Sequence, residues 1–348
     1  EGTLAPARRP DAPEGTDGLS LFLVPHTLPD GSLNDQAYRR LKDKLGTETV
    51  PTGEVELTGA TGYLVGEPEN GFRQMTTMLN FERVANAAGA VGVTGRALLE
   101  AKTHAADREA FGRTLDGHPL MRRDLAEWTA RYEGMVAVTL AAAHALEAAE
   151  SDGDDGDARA LMRGLVPIAK YRTGRLAVDA TSYAMEIRGG DGYVADYVTE
   201  RLLRDAQVLP IWEGTTNVLA LDLLRGVKEV GGLEPVGDEF ERCLAAIDAP
   251  RLQGAAQDAL DAFQTAAEWL RTAQADGPEA LQAGARRFAL TLGHALELAY
   301  TARHAQWSLT HEQDGRSAAA AERLAAQPLI QIAERDASGT EALARDED

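Results

Sequence analysis

From Gly71 onward apolar residues recur at steps of three and four and proline becomes scarce, whereas the stretch before it alternates short apolar runs with turn formers. This change of rhythm constrains the fold more than any other feature, because a helix buries one stripe against other helices and a strand buries alternate residues in a sheet. Met121, Leu125, Trp128, Tyr132 and Met135 lie on one face of a long helix and are read as core packing. The pattern predicts helices over roughly 71–106, 118–150, 158–187, 197–205 and 215–230. Residues 20–67, with Leu21-Phe22-Leu23-Val24, Val55-Glu56-Leu57 and the turn Pro29-Asp30-Gly31, read as strands and turns. So few strand residues leave sheet edges unpaired, which implies further sheet sequence upstream. Gly231-Gly232-Leu233-Glu234-Pro235 interrupts the helical pattern, and Ala-rich amphipathic segments then run to about Ala344 as a separate helical appendage. The polar stretch 151–157 is a solvated linker, since it lacks the distal Glu that a calcium loop requires. The last four residues, 345–348, read as a frayed tail.

Charge narrows the function classes. The chain has 348 residues, enough for two or three domains, with 35 Lys and Arg against 55 Asp and Glu and a net charge of −20. Such a charge repels a phosphate backbone, and no basic stripe with interleaved aromatics exists, so nucleic acid is excluded as a partner. Lys42, Lys44, Lys102, Lys170 and Lys228 are the only lysines, and a carboxylate-rich, lysine-poor surface suits a salt-loving host. The single cysteine, Cys243, rules out an internal disulfide and a cysteine-based metal cluster, fits a reducing compartment, and reads as a core residue. Residues 1–20 lack a signal-peptide layout and no apolar run approaches membrane-spanning length, so a cytoplasmic protein with no membrane partner and no metal is expected.

Three segments stand out chemically, and each has two readings on its own residues. Arg108, in Asp107-Arg108-Glu109-Ala110-Phe111-Gly112, either complements a helix dipole or offers a planar fork to a diphosphate. The glycines of Gly189-Gly190-Asp191-Gly192-Tyr193 serve equally as a helix cap or as a surface that lets a ligand approach the backbone. Glu213, in Ile211-Trp212-Glu213-Gly214-Thr215-Thr216-Asn217, is in isolation a dipole-complementing carboxylate, yet its place between an aromatic and a glycine suits a general base.

Taken together, in this order and spacing, the three segments resemble the acyl-CoA dehydrogenases. The likeness extends through Gly18-Leu19-Ser20-Leu21-Phe22-Leu23-Val24-Pro25, Lys42-Asp43-Lys44-Leu45-Gly46-Thr47, Glu82-Arg83-Val84-Ala85-Asn86-Ala87-Ala88-Gly89 and Arg204-Asp205, and covers Gly18 to about Arg225. The resemblance implies a mainly α fold. Residues 1–68 would be the remnant of a middle β-barrel domain, 69–230 the flavin- and substrate-binding helical bundle, and 231–348 an added helical extension. The extension points to the branch with extended C-termini, which also holds the adaptive-response flavoproteins. Full-length members begin with a helical domain and further strands, so the chain is expected to be N-terminally truncated or to pair with a separately encoded half.

The resemblance also implies the chemistry: FAD accepts a hydride from the β-carbon of an acyl-CoA while a Glu removes the α-proton, giving a trans-2-enoyl-CoA, and electrons pass to an electron-transfer flavoprotein. Matched by position, Glu213 falls on the base, with Trp212 as the preceding aromatic where many members have Tyr. Glu82 is its rival, because the isovaleryl-CoA branch places the base near that position. Arg108 and Phe111 fall on contacts to the FAD of a neighbouring subunit, which implies a homodimer or homotetramer. Glu186, Gly190, Thr215 and Asn217 fall on further cofactor contacts, and Asn80, Arg83, Gly214 and Arg225 on the substrate side. Two departures from the family pattern bear on FAD: Pro119, after His118, and Glu186 each stand where members carry a cofactor-contacting Gln.

Overall fold

A computed structural model describes residues 1–151, 156–332 and 340–346. The linker expected at 151–157 therefore falls largely outside the described residues, and of the tail expected to fray Arg345 ends a short helix while the last two residues lie outside them. The chain divides into two compact units, Glu1–Glu82 and Arg83–Asp348.

In the first unit β1 (Gly2–Arg8), β2 (Leu19–Pro25), β3 (Ala37–Leu41), β4 (Gly53–Glu56) and β5 (Tyr63–Val65) form two small antiparallel sheets. β2 is central in the order β1-β2-β5, with Leu4 opposite Leu23 and Leu21 opposite Val65, while β3 pairs with β4. Leu21 and Val24 are buried, but Leu33, Tyr38, Leu41 and Leu45 are each at least 60% exposed, so this unit covers little apolar surface of its own. Gly71, the first residue of α1 (Gly71–Asp107), lies against the Ser20 backbone, where a Cβ would stand 2.3 Å from the Ser20 carbonyl carbon.

The second unit is helical, as the apolar spacing predicts. After α1 come a hairpin of β6 (Glu109–Ala110) and β7 (Arg113–Thr114), then α2 (Pro119–Ser151), α3 (Gly156–Ile187), the short α4 (Gly190–Tyr193), α5 (Val198–Ala206) and α6 (Thr216–Glu229). The chain continues through α7 (Glu234–Ala245), α8 (Gln253–Asp276), α9 (Pro278–His311), α10 (Arg316–Ala325) and α11 (Thr340–Arg345). Of the predicted stripe on α2, Leu125 and Met135 are buried and the other three half-buried, with Trp128 stacked on Tyr183 of α3. Residues of α7–α10 share one core with α2, α3 and α6: Val138, Leu165 and Leu223 belong to the same buried cluster as Phe240, Ala262, Leu296 and Leu324.

α3 is the central support. Pro167 lies inside it, and because proline has no N–H, the Arg163 carbonyl four residues back is left outside the helical ladder. Gly226 of α6 packs on that carbonyl, where a Cβ would stand 3.1 Å away. A buried fork from Arg172 of α3 to Glu297 of α9, at 3.1 and 2.7 Å, ties α3 to the C-terminal helices. No helix among the described residues is long and apolar enough to cross a membrane, and none of their His, Cys, Asp and Glu groups could hold a metal ion.

Candidate active site

The site forms where the loop after α5 turns into α6. Thr215, at φ −68° and ψ 167°, caps α6 and leaves Glu213 just ahead of the helix N-terminus. Glu213 has φ 57° and Gly214 φ 106°. The left-handed region costs a non-glycine residue about 1–2 kcal/mol, so the conformation persists only where its surroundings impose it.

Those surroundings are buried donors aimed at the loop carbonyls. Arg83 of α1 donates through Nε to the Glu213 carbonyl at 3.3 Å, and Lys170 of α3 donates through Nζ to the Gly214 carbonyl at 2.5 Å. Asn86 of α1 donates to the Leu209 carbonyl at 3.3 Å, and Gly174 of α3 approaches that same carbonyl closely enough that a Cβ would lie 3.1 Å from its oxygen. The loop is thus held at both ends by groups from two long helices.

The charges beneath the loop are unusual for an interior. Arg83 Nη1 meets Asp222 Oδ2 at 2.7 Å, with the two side chains 8% and 9% exposed. Asp222 also faces Arg163 at 3.5 Å and Arg225 at 3.3 Å, and Arg163 reaches Glu229 at 3.1 Å. Burial pushes the Asp222 carboxyl up, but Arg83 and Arg163 outweigh it and hold the group below the ordinary carboxylate value. Lys170 is fully buried. Its pKa is lowered to about 8, by burial first and by the Arg83 charge second, against the opposing pull of Glu213. Glu213 therefore stands half-buried beside a cation, on a left-handed backbone held by two donors, an arrangement suited to keeping a carboxylate aimed.

A second cluster gathers near the C-terminal end of α1. Phe111 and Gly112 form the tip of the β6–β7 hairpin with φ 51° and 84°, which drives the Phe111 side chain out to 94% exposure, edge-on to His118. Arg108 follows the last residue of α1 and is exposed. Arg188 donates to Glu100 of α1 at 3.0 Å and lies over the Tyr197 ring, placing the turn at Gly189 and Gly190 along this part of α1. His104 has its pKa lowered by burial and then by Arg188, with Asp191 and Arg108 also acting on it, so the Arg108 segment and the glycine turn converge there. Gly190 is open, with nothing near an added Cβ, whereas a Cβ at Gly192 would strike the Met185 carbonyl at 2.1 Å. Glu186 is exposed in the last turn of α3.

The expected residues thus fall into two groups. Arg83, Glu213, Gly214 and, through Asp222, Arg225 come together, with Trp212, Thr215 and Asn217 beside them in the chain. Trp212 is 37% exposed, and Asn217 lines a cleft with Leu221 of α6 and Gln282 and Arg286 of α9. Arg108, Phe111, Glu186 and Gly190 are elsewhere: from Arg83 to Asp107 the helix runs about 36 Å at 1.5 Å per residue. Asn80 and Glu82 belong to the first unit, where both lie on α1, half-buried and exposed respectively.

Sequence reasoning missed Asn86, Arg163, Lys170 and Asp222. Two of them carried a signal: Lys170 is a lone cation in Leu165-Val166-Pro167-Ile168-Ala169-Lys170-Tyr171, and Asp222 a lone carboxylate in Leu219-Ala220-Leu221-Asp222-Leu223-Leu224. A charge inside an apolar helical run is costly unless it has a structural or chemical partner.

Residues 69–228 match the family model described as acyl-CoA dehydrogenase, C-terminal domain. The chain is 40% identical over 216 residues to acyl-CoA dehydrogenase family member 11 of Caenorhabditis elegans, covering 62% of this chain and 35% of that protein. It is 34% identical over 316 residues to 3-methylmercaptopropionyl-CoA dehydrogenase of Ruegeria pomeroyi, covering 83% of this chain and 53% of that one. Among solved structures, that of Caenorhabditis elegans ACDH-11 in complex with C11-CoA superposes with a TM-score of 0.88 at 32% identity, over 95% of this chain and 57% of that one. The chain spans 35% to 53% of the length of these two curated relatives.

Proposed function

The chain belongs to the acyl-CoA dehydrogenase family, and from that premise we propose that it carries out FAD-dependent α,β-dehydrogenation of an acyl-CoA thioester with Glu213 as the base. The observation that carries this reading is the Glu213 backbone, held left-handed by Arg83 and Lys170 through two successive carbonyls. A carboxylate that merely complemented a helix dipole would need no such restraint. In the reaction the α-proton goes to a Glu213 carboxylate oxygen and the β-hydrogen leaves with its electron pair, giving a trans-2-enoyl-CoA. When bound, FAD supplies the acceptor for that hydride.

The residues present suit such a cofactor. Arg108 offers an exposed planar cation to a diphosphate, Gly190 an open backbone shelf and Phe111 an apolar face with little covering from its own chain. The length of α1 between Arg83 and Arg108 supports a cofactor shared between copies: one copy's Arg108 and Phe111 would serve the site built on another copy's Glu213. On this reading the protein is a homodimer or homotetramer in the cytoplasm and passes electrons to an electron-transfer flavoprotein. Glu186, an exposed carboxylate where the family has Gln, weakens hydrogen bonding to that cofactor without removing the Arg108 contact.

The purified protein tests the proposal directly. A yellow protein bleached anaerobically by an acyl-CoA supports it. A yellow protein that no acyl-CoA bleaches favours a flavoprotein of the adaptive-response kind, and a protein that stays colourless with added FAD favours a helical interaction module.

A further inference from the structure

We propose that Lys170 is a positioning residue for Glu213, its buried ammonium fixing the Gly214 carbonyl and lending positive charge to the Glu213 carboxylate. This rests on the reading of Glu213 as the base.

Placement is the first argument. Lys170 is 0% exposed and stands among the largest fully buried side chains of the molecule, with Tyr171, Ile168 and Ala169 buried around it on α3. An ammonium taken out of water is costly, and such groups persist where they do something a neutral side chain cannot. The hydrogen bond it makes, 2.5 Å to the Gly214 carbonyl, acts on the peptide that follows Glu213. Gly174, one turn further along α3, abuts the Leu209 carbonyl, so the same helix face supports the loop at both ends.

Residue choice is the second argument. The chain carries 35 cationic side chains, of which five are lysines, and two other cations nearby, the buried Arg83 and the half-buried Arg172, are arginines bound to carboxylates. Arg172 spends its planar fork on the Glu297 carboxylate and Arg83 divides its guanidinium between Asp222 and the Glu213 carbonyl, whereas Lys170 has a backbone carbonyl as the partner of its compact ammonium. The electrostatics agree: Glu213 favours the charged form of Lys170, so by reciprocity Lys170 favours the ionised form of Glu213.

Lys170→Met and Lys170→Gln separate the two effects, since both remove the charge and only glutamine keeps a donor. Amide hydrogen exchange over 207–217 reads the clamp, and infrared titration of the Glu213 carboxyl, taken as the difference from Glu213→Gln, reads the charge. Expected are at least tenfold faster exchange in Lys170→Met, a smaller increase in Lys170→Gln, and a Glu213 midpoint raised in both by about one unit. Unchanged exchange and midpoint in Lys170→Met would overturn the proposal, as would faster exchange with an unmoved midpoint, which reduces Lys170 to a scaffold contact. If Lys170→Met does not fold, the midpoint in Lys170→Gln decides. Neither readout needs turnover, so an acyl-CoA that fails to bleach the wild-type flavin sinks the dehydrogenase reading and leaves this test intact.

Discussion

Glu213-Gly214 and Phe111-Gly112 share a backbone device, a large residue in the left-handed region followed by a glycine at positive φ, with φ values of 57° and 106° in one and 51° and 84° in the other. Their settings are opposite. The first is braced by Arg83 and Lys170, and the second stands at a hairpin tip with its aromatic ring in solvent. The same device has two outcomes: in the loop it carries a half-buried carboxylate on a backbone whose carbonyls the chain itself holds, and in the hairpin it leaves an aromatic face exposed. On the proposed reading one half of the chemistry is completed within a subunit, and the other half by a neighbouring copy.

The sharpest way to break this contrast is at Glu213. In the flavin-loaded protein Glu213→Gln should lower the rate of acyl-CoA-dependent flavin reduction on the order of 10³-fold, the range lost with a general base, while Glu82→Gln leaves it within a few-fold. The reverse pattern, read by stopped-flow bleaching, would move the base to Glu82 and strip the braced loop of its catalytic meaning.

Next in size is the support under the loop. Asp222→Ala strands the buried Arg83 guanidinium and should cost about 3 kcal/mol in urea unfolding. The Asp222 carboxyl is held below its ordinary 3.8 in the folded state. Its contribution is therefore complete above that value and is lost as pH falls through the lower folded one, so the gap between wild type and Asp222→Ala should be flat near neutrality and close in acid. A gap that persists in acid would show that the ion pair is not its source.

Lys170 acts in the alkaline range and in the other sense, its buried charge costing stability where the Asp222 pair adds it. Its pKa falls from 10.5 to about 8 on folding, so between those values the unfolded chain holds more protons and stability rises with pH. Below about pH 8 both states are protonated and the full cost of burying the charge remains. Urea midpoints taken from pH 7.5 to 10.5 should show this rise in wild type, and Lys170→Met should lack that part of it. The smallest effect belongs to the hairpin: Phe111→Ala should leave monomer stability within about 0.5 kcal/mol while weakening self-association in sedimentation. A Phe111→Ala protein that unfolds more easily would mean that the ring serves its own chain.

The helices were legible in the sequence almost to their ends. The expected 71–106 is Gly71–Asp107 and the expected 215–230 is Thr216–Glu229, because long amphipathic stripes and capping residues are local signals. The ordered motifs pointed to the family, and the family model matches residues 69–228. Their division into two groups was not legible, since adjacency in a motif says nothing about 36 Å of intervening helix, a length of about 24 residues at the usual rise. Nor was the brace, which brings together Arg83, Lys170, Glu213 and Asp222 from four separate segments. Only the fold makes those residues neighbours, although a lysine inside an apolar run was a cue left unread.

Arg172 leaves α3 two residues after Lys170, about 200° around the helix, and forks onto Glu297. Lys170 grips the loop from one side of α3 while α9 grips Arg172 from another. Dissection of the chain is constrained accordingly: a shortened form ending at residue 230 would keep every motif that identifies the family, yet it would take away the α7–α10 side of the core to which Leu165 and Leu223 belong and the Glu297 partner of Arg172. The residues by which the family is recognised therefore end before the helices that share their core.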